Sequence, residues 1–335
     1  MPRSARLDAP GILHHVIIRG IERRKIFRDD KDRDNLLERL SEPVPETKTA
    51  CYAWALLPNH AHFLFRSGDS GLPTLMRRLL TGYAVSFNRR HKRHGQLFQN
   101  RYKSIICQED RYLKELVRYI HLNPLRAKVV PSLSELATYN YCGHSVLMGT
   151  TKREWLDTAY VLSFFGSRVG EAQKGYSAYV EAGIEQGRRP ELVGGGVIRS
   201  VGGWTEVKKI RLTGQDRLKG DERILGESDF VMEVLSQADE TQSRHYELKQ
   251  LGYDLERVQQ RVAEIYGIDE GELYRKGRQK ARVEARSLLF FWAVRELGIS
   301  GTSLAQRFGM SQPGVVYSVN KGQQIAREKN YRLLE

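Results

Sequence analysis

The segment Pro58–Phe65, with the sequence PNHAHFLF, decides how the first part of the chain folds. From residue 60 to residue 66 the side chains alternate, so every second residue lies on the same face of a predicted strand. One face carries His60, His62 and Leu64, and the other carries Ala61, Phe63 and Phe65. A second strand-like run precedes this one at Cys51–Leu57, and Pro58-Asn59 is a typical turn pair. The sequence therefore predicts a tight antiparallel hairpin with two imidazoles on one face.

Further strands and helices are predicted on either side of this hairpin. Short β-branched runs indicate strands, and apolar residues three and four apart indicate amphipathic helices. Strands are predicted at His14–Arg19 and Tyr102–Cys107, and helices at Asp30–Leu40, Thr74–Lys92 and Arg111–Leu122. Strands mixed with helices in this order indicate an α+β domain.

The two histidines suggest metal chemistry, although the spacing alone is more typical of two structural histidines near a turn. Tyr119 and Asn123 lie four apart on the predicted helix after the last strand, and so share one side of it. Two imidazoles and one amide oxygen would leave coordination positions open to a phosphate oxygen. Tyr119 is then the candidate nucleophile, the alternative being an aromatic ring that packs on the sheet.

The charge distribution favours a polyanionic partner. The chain has 54 Lys and Arg against 40 Asp and Glu, a net charge of +14 and a pI near 9.7. Between Arg77 and Lys103 there are eight basic residues and no acidic one, interleaved with the rings of Tyr83, Phe87, Phe98 and Tyr102. This pattern predicts a surface that follows phosphates, with some of the rings stacking on bases and others in the core.

Four blocks of sequence resemble the IS200-like Y1 transposases, and more closely their REP-associated tyrosine transposase branch within the HUH nuclease superfamily. They are HVIIRGIERRKIF (His15–Phe27), PNHAHFLF, GQLFQNRYKS (Gly95–Ser104) and YLKELVRYIHLNPLRA (Tyr112–Ala127), and the resemblance spans roughly residues 1–190. It implies a ferredoxin-like antiparallel sheet with helices.

The resemblance also implies site residues and a reaction. His60, His62 and Asn123 would bind Mg²⁺ or Mn²⁺, and Tyr119 would attack single-stranded, hairpin-forming DNA to give a 5′-phosphotyrosine and a free 3′-OH. The residues expected to contact this DNA are Arg19, Arg77, Arg78, Arg89, Arg90, Arg101, Tyr102 and Lys103.

The rest of the chain predicts a second, DNA-binding domain. Residues 276–324 resemble the C-terminal helix-turn-helix domain of the replication initiator DnaA, with Ser311 and Gln312 at the start of a recognition helix, Gln312–Asn320. Such a domain would bind duplex DNA, the alternative being a helical packing domain without DNA contact. Five glycines in Val193–Gly203 predict a linker. The predicted parts are a nuclease domain (1–131), a supporting helical extension (132–193), a Gly-rich linker (194–227) and an all-α DNA-binding domain (228–335).

Three functions are compatible with these features. The favoured one is a metal-dependent tyrosine transposase, a single-strand DNA nuclease and strand transferase. The second is a non-catalytic DNA-binding regulator derived from a transposase, and the third is a metallohydrolase that uses water. The third is disfavoured because no Asp or Glu accompanies the histidines as a base. With no long apolar run and no apolar stretch behind the basic N-terminus, we expect a cytoplasmic protein without membrane contact. We expect a monomer rather than a dimer.

Overall fold

The computed structural model describes residues 7–187, 189–192, 221, 223–227, 229–236, 247–248, 250–275, 277 and 279–334. The chain divides into two compact units, Met1–Val234 and Leu235–Glu335. Within the described residues, no helix combines the length and apolar character needed to cross a bilayer.

The first unit is built on a five-stranded sheet in the order β2-β3-β1-β4-β5. The strands are β1 (Leu13–Arg19), β2 (Ala50–Leu57), β3 (His60–Arg66), β4 (Lys103–Cys107) and β5 (Ile224–Leu225). The pairs β2–β3, β3–β1 and β1–β4 are antiparallel, and β2 and β3 form the predicted hairpin. The register sets Arg19 opposite His60 and Ile17 opposite His62, so the histidines lie near the end of β1.

One face of the sheet is covered by α1 (Asp30–Ser41), α2 (Pro43–Glu46) and α3 (Leu72–Arg90). Helix α1 begins where the carboxylate of Asp29 accepts a hydrogen bond from the Asp32 amide, a typical N-cap. Ala61, Phe63 and Phe65 point into this core, as the alternation in β3 predicts. The element order and strand order are those of a ferredoxin-like fold, which confirms the predicted α+β class.

The opposite face is covered by helices that follow β4, and Leu64 points into this second core. They are α4 (Glu109–His121), α5 (Asn123–Arg126), α6 (Leu133–Leu136), α7 (Gly143–Leu147), α8 (Thr158–Ser163) and α9 (Val169–Glu181). In α4 the buried residues Leu113, Leu116, Val117 and Ile120 form the predicted apolar stripe. Residues on both sides of position 131 share this core, so the predicted extension packs as part of the first unit.

The end of the predicted linker differs from expectation. Residues 193–220 and 222 lie outside the described residues. At the end of the range 194–227, however, Ile224 and Leu225 form β5, which pairs in parallel with Ile106 and Cys107. Both β5 residues are fully buried. Burial of this short apolar pair against β4 assigns the segment to the sheet rather than to a tether.

The second unit is helical in its described part, as predicted. It contains α10 (Leu255–Tyr266), α11 (Lys280–Arg295), α12 (Gly301–Arg307) and α13 (Gln312–Glu328) around a core that includes Phe290, Trp292 and Phe308. Helices α12 and α13 are joined by residues 308–311. Helix α13 extends to Glu328, eight residues beyond the predicted end, and Gly322 in this added part packs directly against the backbone of Ser287 in α11.

Candidate active site

His60 and His62 lie on the face of the sheet that α4 covers. Their ring centroids are 5.2 Å apart, and His62 is almost completely buried whereas His60 is partly accessible. The hairpin therefore holds the two imidazoles side by side, as their two-residue spacing predicts.

A neighbouring amide fixes the ring of His60. The side-chain NH₂ of Asn59 donates to the carbonyl of Arg23 at 3.2 Å, so its oxygen Oδ1 faces His60 at 2.6 Å from Nδ1. Because this oxygen can only accept, Nδ1 of His60 carries the proton. The lone pair of His60 is then on Nε2, the nitrogen available to a metal ion.

The second ring is fixed by another histidine. Nδ1 of His62 lies 2.9 Å from Nε2 of His15 on β1, and Nδ1 of His15 lies 3.0 Å from the carbonyl oxygen of Leu192. The rings of His15 and His62 are stacked with their centroids 5.2 Å apart. From the sequence alone, His15 on the first strand could either contact DNA or pack within the sheet. That His15 and His62 lie on the same face of the sheet becomes clear only when the register of β1 and β3 is known.

Both histidines of the pair are held in the neutral form. Burial, together with the charge of Arg19, lowers the pKa of His60 to about 4. The pKa of His62 lies well below its ordinary value because of burial and then the proximity of His15, His60 and Arg19. Neutral imidazoles at pH 7 are the form that binds a metal ion, since a protonated ring has no lone pair to offer.

Tyr119 of α4 lies beside these rings. Its ring centroid is 6.0 Å from those of both His62 and His15, in edge-on arrangements. The guanidinium of Arg126, at the end of α5, lies 5.6 Å from the centroid of the Tyr119 ring. The structure thus brings the candidate nucleophile and the histidine pair together, and adds a cation that sequence reasoning missed.

Asn123 is the first residue of α5 and so, contrary to the prediction from the sequence, does not share one helix with Tyr119. Helix α4 ends at His121 and a new turn starts at Asn123 because Pro124 occupies its first turn. Asn123 is 9% exposed, and among the described residues its buried Nδ2 has no hydrogen-bond partner. Since amide oxygen and nitrogen are interchangeable by a flip, this orphaned position suits an oxygen that has a cation to coordinate.

Among the residues that the structure describes, no group of three or more His, Cys, Asp or Glu side chains is arranged to hold a metal ion. The donor set predicted from the sequence, two imidazole nitrogens and one amide oxygen, has only two members of these types.

The predicted DNA-contacting residues fall into two groups. Arg90 pairs with Asp29 and with the buried Asp32, and Arg78 pairs with Glu46. Within the described part of the chain, no ion-pair partner is found for the exposed side chains of Arg77, Arg89 and Arg101. Lys103 is exposed, and Arg19 lies exposed opposite His60. The predicted charge field is thus partly neutralised by carboxylates from α1 and α2.

A groove of about 730 Å³ lies between α3 and the segment 96–102 and is lined by Arg77, Arg101 and Tyr102. Gly20 pairs with Phe98, and the amide of Gln99 donates to the carbonyl of Arg19, so the segment runs past the end of β1. Of the four rings in this basic segment, three lie in the first core, as expected for some of them: Tyr83, Phe87 and Phe98. Their helical and loop spacing directs them inward, and only Tyr102 remains half-exposed at the groove.

The two residues proposed to begin the recognition helix are exposed in the second unit. The hydroxyl of Ser311 caps α13 by accepting from the Gly314 amide at 3.3 Å. The Gln312 amide donates to the Thr302 hydroxyl at 2.9 Å. Both side chains therefore also hold the turn between α12 and α13 together.

A solved structure of a REP-associated tyrosine transposase bound to a REP hairpin is similar, with 14% identity and a TM-score of 0.37 over 47% of this chain and 98% of that one. No curated protein sequence matches the chain. The family model described as "Transposase IS200 like" matches residues 9–123, about a third of the chain, and ends on Asn123. Residues 9–123 of the first unit are therefore similar to the IS200-like transposases.

Proposed function

We propose that this protein cleaves and rejoins single-stranded, hairpin-forming DNA through a covalent bond to Tyr119. The observation that carries the proposal is the position of the Tyr119 ring, 6.0 Å from that of His62, on the same face of the sheet as the histidine pair. A non-catalytic, purely DNA-binding protein would not need a tyrosine beside two neutral histidines.

His60, His62 and Asn123 fit a divalent cation, Mg²⁺ or Mn²⁺. The fit rests on the Nε2 lone pair of His60, the neutral state of both rings and the orphaned amide of Asn123. When bound, such an ion withdraws negative charge from a non-bridging phosphate oxygen and so makes phosphorus a better electrophile.

The protein's own groups supply the nucleophile and its surroundings. The Tyr119 oxygen forms a bond to phosphorus while the bond to the 3′ oxygen breaks. The phenol loses its proton, and the 3′ oxygen gains one to leave as a 3′-OH. The positive charge of Arg126 beside the ring stabilises the negative charge that develops on the phenol oxygen. Rejoining is the reverse attack by a 3′-OH, so no external energy source is required.

Arg19, Arg77 and Arg101 are proposed to guide the strand to this site. The groove that contains Arg77 and Arg101 passes the end of β1, where Arg19 lies opposite His60. Cations at these positions would hold the DNA backbone without reading its sequence.

The second unit is proposed to bind duplex DNA, such as a hairpin stem. Exposed Ser311 and Gln312 at the start of α13, and Tyr317, which is 68% exposed one turn later, support a recognition helix. This would raise the local concentration of the first unit at its substrate.

The test uses hairpin oligonucleotides labelled at the 5′ or 3′ end, incubated with the full chain and Mn²⁺ and run on a denaturing gel. We expect a covalent adduct on the 5′-phosphate fragment that disappears in Tyr119→Phe. The matched control is Tyr112→Phe, two turns earlier on α4, which should form the adduct normally. A native gel shift without any adduct would favour a binding regulator. Cleavage that survives Tyr119→Phe would favour a water-using hydrolase.

A further inference from the structure

We propose that His15 is a positioning residue that fixes the tautomer of His62, so that the metal-facing nitrogen of His62 keeps its lone pair. This inference rests on the proposed function, because it concerns how one ligand of the proposed metal site is prepared. His15 would play this role through two consecutive hydrogen bonds, one with His62 and one with the main-chain carbonyl of Leu192.

The chain can be followed from its fixed end. A backbone carbonyl only accepts hydrogen bonds, so the 3.0 Å contact with the oxygen of Leu192 requires a proton on Nδ1 of His15. The His15 side chain is fully buried, and a neutral imidazole carries its proton on only one of its two nitrogens. Its other nitrogen, Nε2, therefore has a lone pair and accepts.

The direction of the next bond follows. His62 must donate from Nδ1 to Nε2 of His15 across 2.9 Å, which places the proton of His62 on Nδ1. The lone pair of His62 then lies on Nε2. His60 reaches the same tautomer independently, through Asn59 and the carbonyl of Arg23. Two unrelated sets of contacts thus prepare both imidazoles of the pair in the same way, as expected for rings that act together as ligands.

The carbonyl that anchors the chain is itself held firmly. Leu192 is 1% exposed and packs in the second core, at the end of a 3₁₀ turn formed by residues 190–192. Just before it, Arg189 pairs with Glu115 of α4 at 3.1 Å. The segment after α9 is therefore tied to the helix that carries Tyr119, and it sets the orientation of a histidine 177 positions earlier.

The first measurement needs no variant and no metal. In ¹⁵N NMR spectra of the full, metal-free chain, neutral His62 and His60 should each show a proton on Nδ1 and none on Nε2. A predominant Nε2–H tautomer of His62 in the folded wild-type protein would overturn the proposal.

The second measurement uses Mn²⁺ binding, followed by electron paramagnetic resonance without DNA. His15→Phe removes the acceptor, and we expect a loss of Mn²⁺ affinity of about 10- to 100-fold. His15→Gln supplies a carbonyl oxygen as acceptor and should recover part of it. The matched control is His14→Gln. His14 is equally buried but points to the opposite face, where its Nδ1 contacts the Ser104 hydroxyl at 3.0 Å.

The outcomes separate this inference from the proposed function. Unchanged Mn²⁺ affinity in a folded His15→Phe protein would overturn the role of His15 even if Tyr119 forms its adduct. If wild-type protein shows the expected tautomers but neither binds Mn²⁺ nor forms an adduct, the hydrogen-bond chain stands and the proposed function fails.

Discussion

Replacing Arg77, Arg89 and Arg101 together by Gln should weaken DNA binding without weakening the fold. These exposed side chains have no ion-pair partner within the described part of the chain, so their charges are available to phosphates. Each phosphate contact on a single strand contributes about 0.7 to the slope of log affinity against log salt. Three contacts contribute about 2, so between about 50 and 200 mM salt the wild-type protein should lose about 20-fold more affinity than the triple variant.

The comparison variant is Arg90→Gln, which removes a charge from α3, the helix that carries Arg77 and Arg89. Arg90 is already engaged by Asp29 and by Asp32, whose carboxylate is 3% exposed. We expect this variant to lower the unfolding temperature, because the Asp32 carboxylate loses a cationic partner. Its salt slope should stay close to that of the wild type.

Both quantities are accessible with a fluorescently labelled hairpin that carries a single-stranded tail. Anisotropy titrations at several salt concentrations, in EDTA to prevent cleavage, give the slopes, and thermal unfolding gives the stabilities. The reasoning is refuted if the triple variant keeps the wild-type slope, or if Arg90→Gln lowers the slope as much as the triple variant does.

Two further changes test the packing and the buried histidines. Gly322→Ala would place Cβ 1.9 Å from the carbonyl oxygen of Ser287 and should destabilise the second unit by about 3 kcal/mol in urea unfolding, whereas Gly301→Ala, with its nearest contact at 3.7 Å, should be neutral or stabilising. Burial lowers the pKa of His144 to about 4. As the pH falls, His144 therefore becomes protonated in the unfolded state before it does in the folded state. The free energy of unfolding should decrease by up to about 3 kcal/mol between about pH 6.5 and pH 4. A His144→Gln variant should show a shallower loss in the same range; an identical pH profile for both proteins would contradict this.

The hairpin and the histidine pair could be predicted because their signals are local. Alternation over seven residues and a Pro-Asn turn specify β2, β3 and the common face of His60 and His62. The element bounds differ by small amounts. Helix α3 begins at Leu72 rather than Thr74, since Pro73 is tolerated in a first helical turn and Gly71, with φ of 72°, precedes it.

The state of the basic residues could not be predicted from the segment that contains them. The partners of Arg78 and Arg90 come from α1 and α2, more than thirty residues earlier, and only the packing of these helices against α3 brings the charges together. The same limit applies to β5. Two apolar residues at the end of a Gly-rich stretch are too short a run to predict a strand. They form one only because they pair with the edge of β4.

The residues around the site extend well past Asn123, where the family match ends. His121, two positions from Tyr119, accepts or donates a 2.7 Å hydrogen bond with the hydroxyl of Tyr176, and that hydroxyl also lies 2.7 Å from Nδ1 of His144. A hydroxyl has one proton, so it can donate to only one of these rings and must accept from the other. This buried link ties the end of α4 to α7 and α9. Together with the carbonyl of Leu192, it connects the helices after residue 131 to the elements that carry Tyr119 and His62, so these helices support the site as well as the core.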